Sequence, residues 1–268
     1  MFQRFPSLCC RVVLVGMIWL AGMTVTCHAM IWQRGVKTTC KQPPTGVMKS
    51  VVRLLYSPLH VFGGCGVLLD ADTVLTAGHA VDDWKASSIC VRHGDQVISV
   101  AKITRHPDMK VDLAVIHLAK SFDDVPTMNI WKPPVRKDDR VWMGGYGISG
   151  ELIEDGKSSI ITAAAGLDFA SGYRTGRFAS GFNRIAKVGS HRNQIVFDPP
   201  GKGGEQNEVL PAMFDSGSPV FVQREGAWHL AGITVTVSNR MSPAYGDRSS
   251  HESVHASLNW IEKSAQER

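Results

Sequence analysis

Three stretches of the chain carry side chains that together could perform nucleophilic catalysis. His79 lies in Thr-Ala-Gly-His-Ala, Asp112 precedes Leu-Ala-Val, and Ser216 lies in Met-Phe-Asp-Ser-Gly-Ser-Pro. A serine hydroxyl is a weak nucleophile at neutral pH, so it needs an adjacent base such as imidazole. A carboxylate can hold that imidazole in the useful tautomer and stabilise its cation. The three residues therefore predict acyl transfer, with Ser216 as nucleophile, His79 as general base and Asp112 as the orienting carboxylate.

Each of these residue types also has an ordinary structural interpretation. A serine between aspartate and glycine is common in turns, and an isolated histidine is often a hydrogen-bonded core residue. Asp108 is the nearest rival to Asp112, but it follows a proline and lacks the Leu-Ala-Val strand behind it. His251 and His255 are spaced i, i+4 and could bind a metal, but a helix cap and a surface residue are the favoured interpretation. We therefore expect neither a metal site nor a cofactor.

Short strands must position these residues. Runs of β-branched and aromatic residues, separated by Gly, Pro and Asp, indicate many strands, one of them directly before His79 and one directly after Asp112. Ser253 is a plausible N-cap for a single C-terminal helix, and residues 30–46 read as an arm or loop. The pattern favours an all-β protein. Strands are predicted over 51–56, 63–69, 73–76, 89–92, 97–103, 113–118, 141–147, 159–164, 194–197, 220–222 and 228–237.

With these motifs in place, the sequence resembles the trypsin- and chymotrypsin-like serine peptidases. The order His, Asp, Ser is that of the family, and unrelated folds with the same triad use other orders. Cys65-Gly66, Gly145-Tyr146-Gly147 and Asn259-Trp260-Ile261 are similar to further family motifs. The resemblance implies two six-stranded antiparallel β-barrels with a C-terminal helix and an active site in the cleft between them. We place the two halves at residues 30–130 and 131–268.

The resemblance also implies an oxyanion hole formed by the backbone N–H groups of Phe214 and Ser216. The family normally has glycine at position 214 because that residue has a positive φ, and phenylalanine there would cost about 1–2 kcal/mol. Three outcomes are open: the strain is tolerated for function, the peptide is flipped until substrate binds, or the protein is an inactive homologue. The last outcome describes a catalytically silent protein that binds peptides or partner proteins in the same cleft.

Three residues bear on substrate preference through the resemblance. Leu210, six residues before the serine, stands where relatives have the base of the primary specificity pocket. Cleavage after Lys or Arg needs a carboxylate there, so we predict against it. Val235 and Val237 match the strand along the cleft, and Val237 stands where an open pocket has glycine. We expect small or medium apolar side chains before the cleaved bond.

Asp215 raises the question of activation. In many relatives this buried carboxylate pairs with a new N-terminal amine after zymogen cleavage. The usual Ile-Val-Gly-Gly sequence is missing here, and cleavage after Arg34 would free an amine at a plausible distance. Otherwise Asp215 must pair with an internal group, because an unpaired buried carboxylate is costly.

The cysteines say little about disulfide pairing. Cys40, Cys65 and Cys90 lie after the N-terminal segment, and three thiols allow at most one internal disulfide. Ala80 stands where the family has the disulfide partner of the cysteine that Cys65 resembles. The family disulfide is therefore absent.

The N-terminal segment predicts export. Arg4 and Arg11 make a basic start, 12–23 is an apolar run, and Cys-His-Ala offers a cleavage site after Ala29. The uncharged stretch is also long enough for an uncleaved anchor, but its threonines and histidine argue against one. We expect residues 1–29 to be a signal peptide, a secreted or periplasmic protein, and no membrane association after cleavage.

Composition narrows the partners. The formal net charge is +5 over 268 residues, with 44% hydrophobic and 20% charged residues. This mild excess gives no argument for nucleic-acid binding. The expected partners are a protein or peptide substrate and a possible protein inhibitor.

Overall fold

The computed structural model describes residues 30–33, 45–57, 59–126, 128–147, 149–152, 158–159, 178–205, 208–238 and 243–267. These residues form mostly short strands, with a short helix near the start and a longer one at the end. In chain order the elements are β1 (Met30–Trp32), α1 (Thr45–Met48), β2 (Val51–Tyr56), β3 (Val61–Leu68), β4 (Thr73–Ala77), β5 (Ile89–His93), β6 (Gln96–Arg105), β7 (Leu113–Leu118), β8 (Arg140–Gly145), β9 (Ser149–Leu152), β10 (Ser158–Ser159), β11 (Ala179–Lys187), β12 (Arg192–Val196), β13 (Val209–Leu210), β14 (Pro219–Arg224), β15 (Ala227–Val237), β16 (Arg248–Ser253) and α2 (Leu258–Gln266).

Strands β2 to β7 close into the first barrel. The hydrogen-bonded order is β2-β3-β4-β7-β6-β5, and each neighbouring pair is antiparallel. Val and Leu side chains of these strands fill the interior. All six residues of β7 are buried, because α2 packs against this strand. His117 of β7 donates from Nε2 to the Ser264 carbonyl at 2.9 Å, which ties the helix to the barrel.

The second barrel has the same closed antiparallel architecture. Its order is β11-β12-β16-β15-β14-β8. One apolar cluster runs from the interior of the first barrel to Trp142, Phe221 and Ile233 of the second. The two barrels therefore share buried surface, and burial of apolar area favours one fixed arrangement. The prediction of two six-stranded antiparallel barrels with a C-terminal helix is confirmed.

A smaller sheet in the order β10-β9-β1-β13 packs beside the second barrel. In it Ile31 pairs antiparallel with Leu210, and Met30 pairs parallel with Ser149. Met30, Ile31 and Trp32 are buried within the apolar cluster of the second barrel. The assignment of residues 30–46 to a loop of the first half is therefore wrong for residues 30–32, which form a strand of the second half.

The C-terminal region also differs from the expectation. Residues 248–253 form strand β16, and His251 points into a buried site where its Nδ1 lies 3.3 Å from the Thr234 hydroxyl. His251 and His255 are therefore not on one helix face. Ser253 does accept the N–H of Ala256 at 3.4 Å, but the α-helix itself begins at Leu258. Of the strand predicted over 159–164, all but residue 159 lies outside the described residues.

Candidate active site

Strand pairing brings His79 and Asp112 together across 33 residues of sequence. His79 lies in a 3-10 turn that follows β4, and Asp112 directly precedes β7. Ala77 of β4 pairs with Leu113 of β7, so the ends of the two strands are neighbours. The Gly78 N–H donates to the Asp112 carbonyl at 3.0 Å, which extends the pairing of β4 with β7 by one residue.

Ser216 reaches the same place from the second barrel. The Cys65 N–H of the first barrel donates to the Ser216 carbonyl at 2.8 Å, and the Gly217 N–H donates to the Thr234 carbonyl at 2.8 Å. Gly217 has a φ of +84°, and a Cβ there would meet the Cys65 carbonyl at 2.0 Å. The serine loop is thus fixed to both barrels, and only glycine fits after the serine.

The three side chains form a continuous hydrogen-bonded chain. His79 Nδ1 lies 2.6 Å from Asp112 Oδ2, and His79 Nε2 lies 2.8 Å from Ser216 Oγ. The backbone N–H of His79 donates to the other carboxylate oxygen, Asp112 Oδ1, at 2.7 Å. An ionised carboxylate accepts from Nδ1–H, which leaves Nε2 free to accept the serine proton. Asp108, the rival considered above, donates its N–H to His106 and accepts from Lys110 at its carboxylate.

The environment of Asp112 favours its ionised form. Burial raises the pKa of Asp112, but hydrogen bonds from the His79 side chain and backbone and the charges of His79 and Arg192 outweigh burial and lower it. Glu252 is fully buried behind it and accepts the Asp112 N–H at 3.0 Å. Arg192 Nε donates to the same Glu252 oxygen at 2.5 Å. An ion pair thus fixes the backbone that carries the carboxylate.

Sequence reasoning missed Glu252 and Arg192. The segment that carries Glu252 was interpreted as the approach to a helix, although it is a strand in register with β12. Arg192 pairs with Glu252 across these two strands. The sequence of 248–253, Arg-Ser-Ser-His-Glu-Ser, has no polar–apolar alternation that would indicate a strand, so the position of Glu252 depends on the pairing with β12.

Phe214 adopts the conformation that the family normally reserves for glycine, with a φ of +69°. Its ring lies 6.1 Å from that of Phe62, in a small apolar cluster that also contains Leu55, Cys65 and Tyr146. Packing therefore offsets a conformational cost of about 1–2 kcal/mol. Of the three outcomes stated above, the structure has the strained peptide rather than the flipped one.

The resemblance implies an oxyanion hole formed by the backbone N–H groups of Phe214 and Ser216. Both residues line the cavity beside His79. Within the described segments, the hydrogen bonds of this loop use the N–H groups of Asp215, Gly217 and Ser218, and neither of the other two N–H groups. Two adjacent unpaired N–H groups beside a nucleophile can stabilise a developing oxyanion.

Asp215 is fully buried under the serine loop. It accepts N–H groups from Gly147 at 2.9 Å and Ala212 at 3.0 Å, and the backbone N–H of Met30 is a third donor. Burial raises the pKa of Asp215 to about 7, although the three donors lower it. A Cβ on Gly145 or Gly147 would meet its carboxylate at 2.3 or 2.7 Å, which accounts for the Gly-Tyr-Gly motif.

The residue beside Asp215 is thus Met30 rather than one released by cleavage at Arg34. Residues 34–44 lie outside the described segments, so the cut after Arg34 stays a prediction. Cys40 lies there as well. Cys65 and Cys90 are free thiols in the described part of the chain, and Cys65 Sγ lies 3.6 Å from the Phe214 carbonyl.

A cavity of about 210 Å³ opens beside the serine. Val235 and Val237, the two strand residues expected at a substrate pocket, are among the residues that line it. Leu210 is not among them, because it is fully buried and pairs with Ile31 in the small sheet. The expectation for Leu210 is therefore wrong. The lining residues are Tyr56, Gly63, His79, Ala80, Pro211, Ala212, Met213, Phe214, Ser216, Thr234, Val235, Thr236 and Val237.

Comparison with known families agrees with this architecture. Residues 64–233, more than half of the chain, match the family model described as a trypsin-like peptidase domain. The chain therefore belongs to the trypsin-like peptidase family. No curated protein matches the sequence significantly. Among the described residues, no helix is long and apolar enough to cross a membrane.

Proposed function

We propose that the protein is a serine endopeptidase that hydrolyses peptide bonds through an acyl-enzyme on Ser216. The observation that carries the proposal is the unbroken contact from Asp112 through His79 to Ser216, at 2.6 and 2.8 Å. Both distances are within the range that proton transfer requires. Family membership alone does not decide activity, whereas a nucleophile already bonded to its base supports it.

The proposed reaction follows from these contacts. Ser216 Oγ attacks the carbonyl carbon while its proton passes to His79 Nε2, and Asp112 stabilises the imidazolium. The N–H groups of Phe214 and Ser216 hold the oxyanion. The C–N bond then breaks, and His79 returns the proton to the leaving amine. Water then attacks the acyl carbon while one of its protons passes to His79 Nε2. The bond from that carbon to Ser216 Oγ breaks, the carboxylic product leaves, and His79 returns the proton to Ser216 Oγ.

The cavity supports a preference for small or medium apolar side chains before the cleaved bond. Pro211, Val235 and Val237 line it, and none of the described residues that line it carries a carboxylate. A buried Lys or Arg would there lack an anionic partner, which is costly. A preference for apolar groups follows from the transfer free energy of apolar surface.

Export and maturation complete the proposal. We expect a signal peptidase to cut after Ala29, which would make Met30 the first residue of a secreted or periplasmic protein. Met30 has a φ of +73°, a conformation that costs a non-glycine residue about 1–2 kcal/mol. A first residue has no φ torsion, so cleavage removes that cost. Its N–H already lies at Asp215, and the freed ammonium would supply the missing cation.

Peptide-library cleavage by residues 30–268 tests the activity and the preference together. Mass spectrometry should show cleavage after small and medium apolar residues, and none with Ser216→Ala. A profile dominated by Arg and Lys would refute the preference alone. An intact library with a correctly folded protein would refute the peptidase and favour the silent peptide-binding alternative. N-terminal sequencing of the exported protein should begin at Met30, and a start at Gly35 would support cleavage after Arg34 instead.

A further inference from the structure

An exposed apolar patch adjoins the candidate active site on the side of His79. It consists of Tyr56, Val61 and Trp84, which we call the aromatic shelf. Val61 and Trp84 are 42% and 40% exposed, and exposed apolar side chains that lie together often mark a binding surface. Tyr56 and Val61 are cross-strand partners of β2 and β3, so their side chains share one face.

Contacts with neighbouring groups fix the position of the two rings of the shelf. The Tyr56 and Trp84 rings stack in parallel, with centroids 4.2 Å apart and 5° between their planes. The Tyr56 hydroxyl donates to the Ala80 carbonyl at 2.5 Å. A Cβ on Gly63 would lie 1.7 Å from the Tyr56 ring, so glycine there lets the ring lie on the backbone. A preformed aromatic surface binds a ligand with little loss of conformational entropy.

The position of the shelf determines which part of a substrate it can meet. The cavity is lined from both barrels: residues 211–214, 216 and 234–237 belong to the second half of the chain, and Tyr56, Gly63, His79 and Ala80 belong to the first barrel. In the proposed reaction the leaving amine takes its proton from His79 Nε2. The segment that follows the cleaved bond therefore starts beside His79, on the first-barrel side of the cavity, where Tyr56 also lies and Trp84 stacks on Tyr56.

We propose that the aromatic shelf is a specificity surface for the leaving-group segment of the substrate. It binds an apolar, preferably aromatic, side chain within the first three residues after the cleaved bond. Continuity with the cavity carries this assignment, since Tyr56 lines the cavity and stacks on half-exposed Trp84. The inference rests on the proposed peptidase activity and adds to it a second determinant of substrate choice.

The test compares two peptides that share one acyl segment taken from the library profile. The first has Phe at the second position after the cleaved bond, and the second has Ser there. Trp84→Ala should lower the ratio of their kcat/KM values, Phe over Ser, by about two- to tenfold, which is the range for one aromatic stacking contact. Val97→Ala is the matched control, because Val97 is also an exposed apolar residue of the first barrel and lines no part of the cavity. It should leave the ratio unchanged.

If Trp84→Ala leaves the ratio of the two kcat/KM values unchanged, the aromatic shelf is not a specificity surface, whether or not overall activity falls. A second measurement separates this failure from failure of the proposed function. Isothermal titration of Ser216→Ala with the intact Phe peptide should give binding that Trp84→Ala weakens. If the wild type cleaves neither peptide but this binding is found, the peptidase proposal fails and the shelf stands. If the added Trp84→Ala change leaves binding unaltered, the shelf is refuted.

Discussion

Extending the chain in front of Met30 should change how its stability depends on pH. A chain that starts at Met30 offers an ammonium group to Asp215, whereas a chain with a Gly-Ser extension offers only a peptide N–H. Asp215 is fully buried, so its charge depends on the partner at residue 30. The two forms differ at this single place.

The magnitude follows from the burial of Asp215. With a peptide N–H from Met30, burial raises its pKa from 3.8 to about 7. A group whose pKa is raised on folding stabilises the fold below its unfolded value, and that contribution is lost as pH rises to the folded value. The free energy of unfolding of the extended form should therefore fall by roughly 3 kcal/mol between pH 4 and 7, at no more than about 1.36 kcal/mol for each pH unit.

The form that starts at Met30 should behave in the opposite way. Its ammonium stabilises the ionised Asp215, so the loss between pH 4 and 7 disappears. The pairing raises the pKa of the amine above its ordinary value of about 8, and the stabilisation is lost only as pH rises through that higher value.

Urea denaturation of both forms from pH 4 to 9 measures this difference. Burial raises the pKa of Glu208 to about 8, but Glu208 is present in both forms, so their difference isolates the N-terminus. Asp215→Asn is the control, because it should abolish the difference in slope between the two forms. Parallel pH profiles of the two wild-type forms would refute the reasoning that the Met30 amine reaches Asp215.

Further predictions concern the strained loop and two buried carboxyl groups. Phe214→Ala keeps a side chain at positive φ without the packing of the ring, so urea denaturation should find it about 1–2 kcal/mol less stable than Phe214→Gly; equal stability would contradict the strain. Arg192→Ala leaves Glu252 buried without its cation, so kcat and the melting temperature should fall, and adding Glu252→Gln should restore part of both. A double variant no better than the single one would argue against the pair. In the form that starts at Met30, Glu208→Gln removes a carboxyl group whose raised pKa costs stability as pH rises from 4.5 to about 8, so the free energy of unfolding should fall less over that range than in the wild type. An equal fall in both proteins would contradict the raised pKa.

The proximity of His79, Asp112 and Ser216 could be expected from the sequence because each of them adjoins a strong local signal. His79 follows one apolar strand and Asp112 precedes another, and the pairing of these strands brings their ends together. Phe214 could be recognised as a departure from the family pattern, because relatives have glycine at this position of positive φ and this chain has phenylalanine. These predictions require only the local sequence around each residue and the order of the motifs along the chain.

Other features depend on partners far away in sequence. The strand Met30–Trp32 has only three residues, and it forms because strands more than a hundred residues later pair with it. Leu210 pairs with that strand and does not line the cavity. Its burial therefore could not be predicted without knowing that Met30–Trp32 is a strand. The aromatic shelf likewise arises where Trp84 meets Tyr56, and no periodicity links those residues.

The central claim is that Ser216 is an activated nucleophile. The direct measurement is intact mass after reaction of residues 30–268 with a fluorophosphonate, beside Ser216→Ala and Ser218→Ala. Ser218 is a suitable control because it is a buried serine two residues away, whose hydroxyl has no partner among the described residues. We predict a single adduct in the wild type and in Ser218→Ala, and none in Ser216→Ala. A folded wild-type protein without an adduct, or an adduct that survives Ser216→Ala, would contradict the claim.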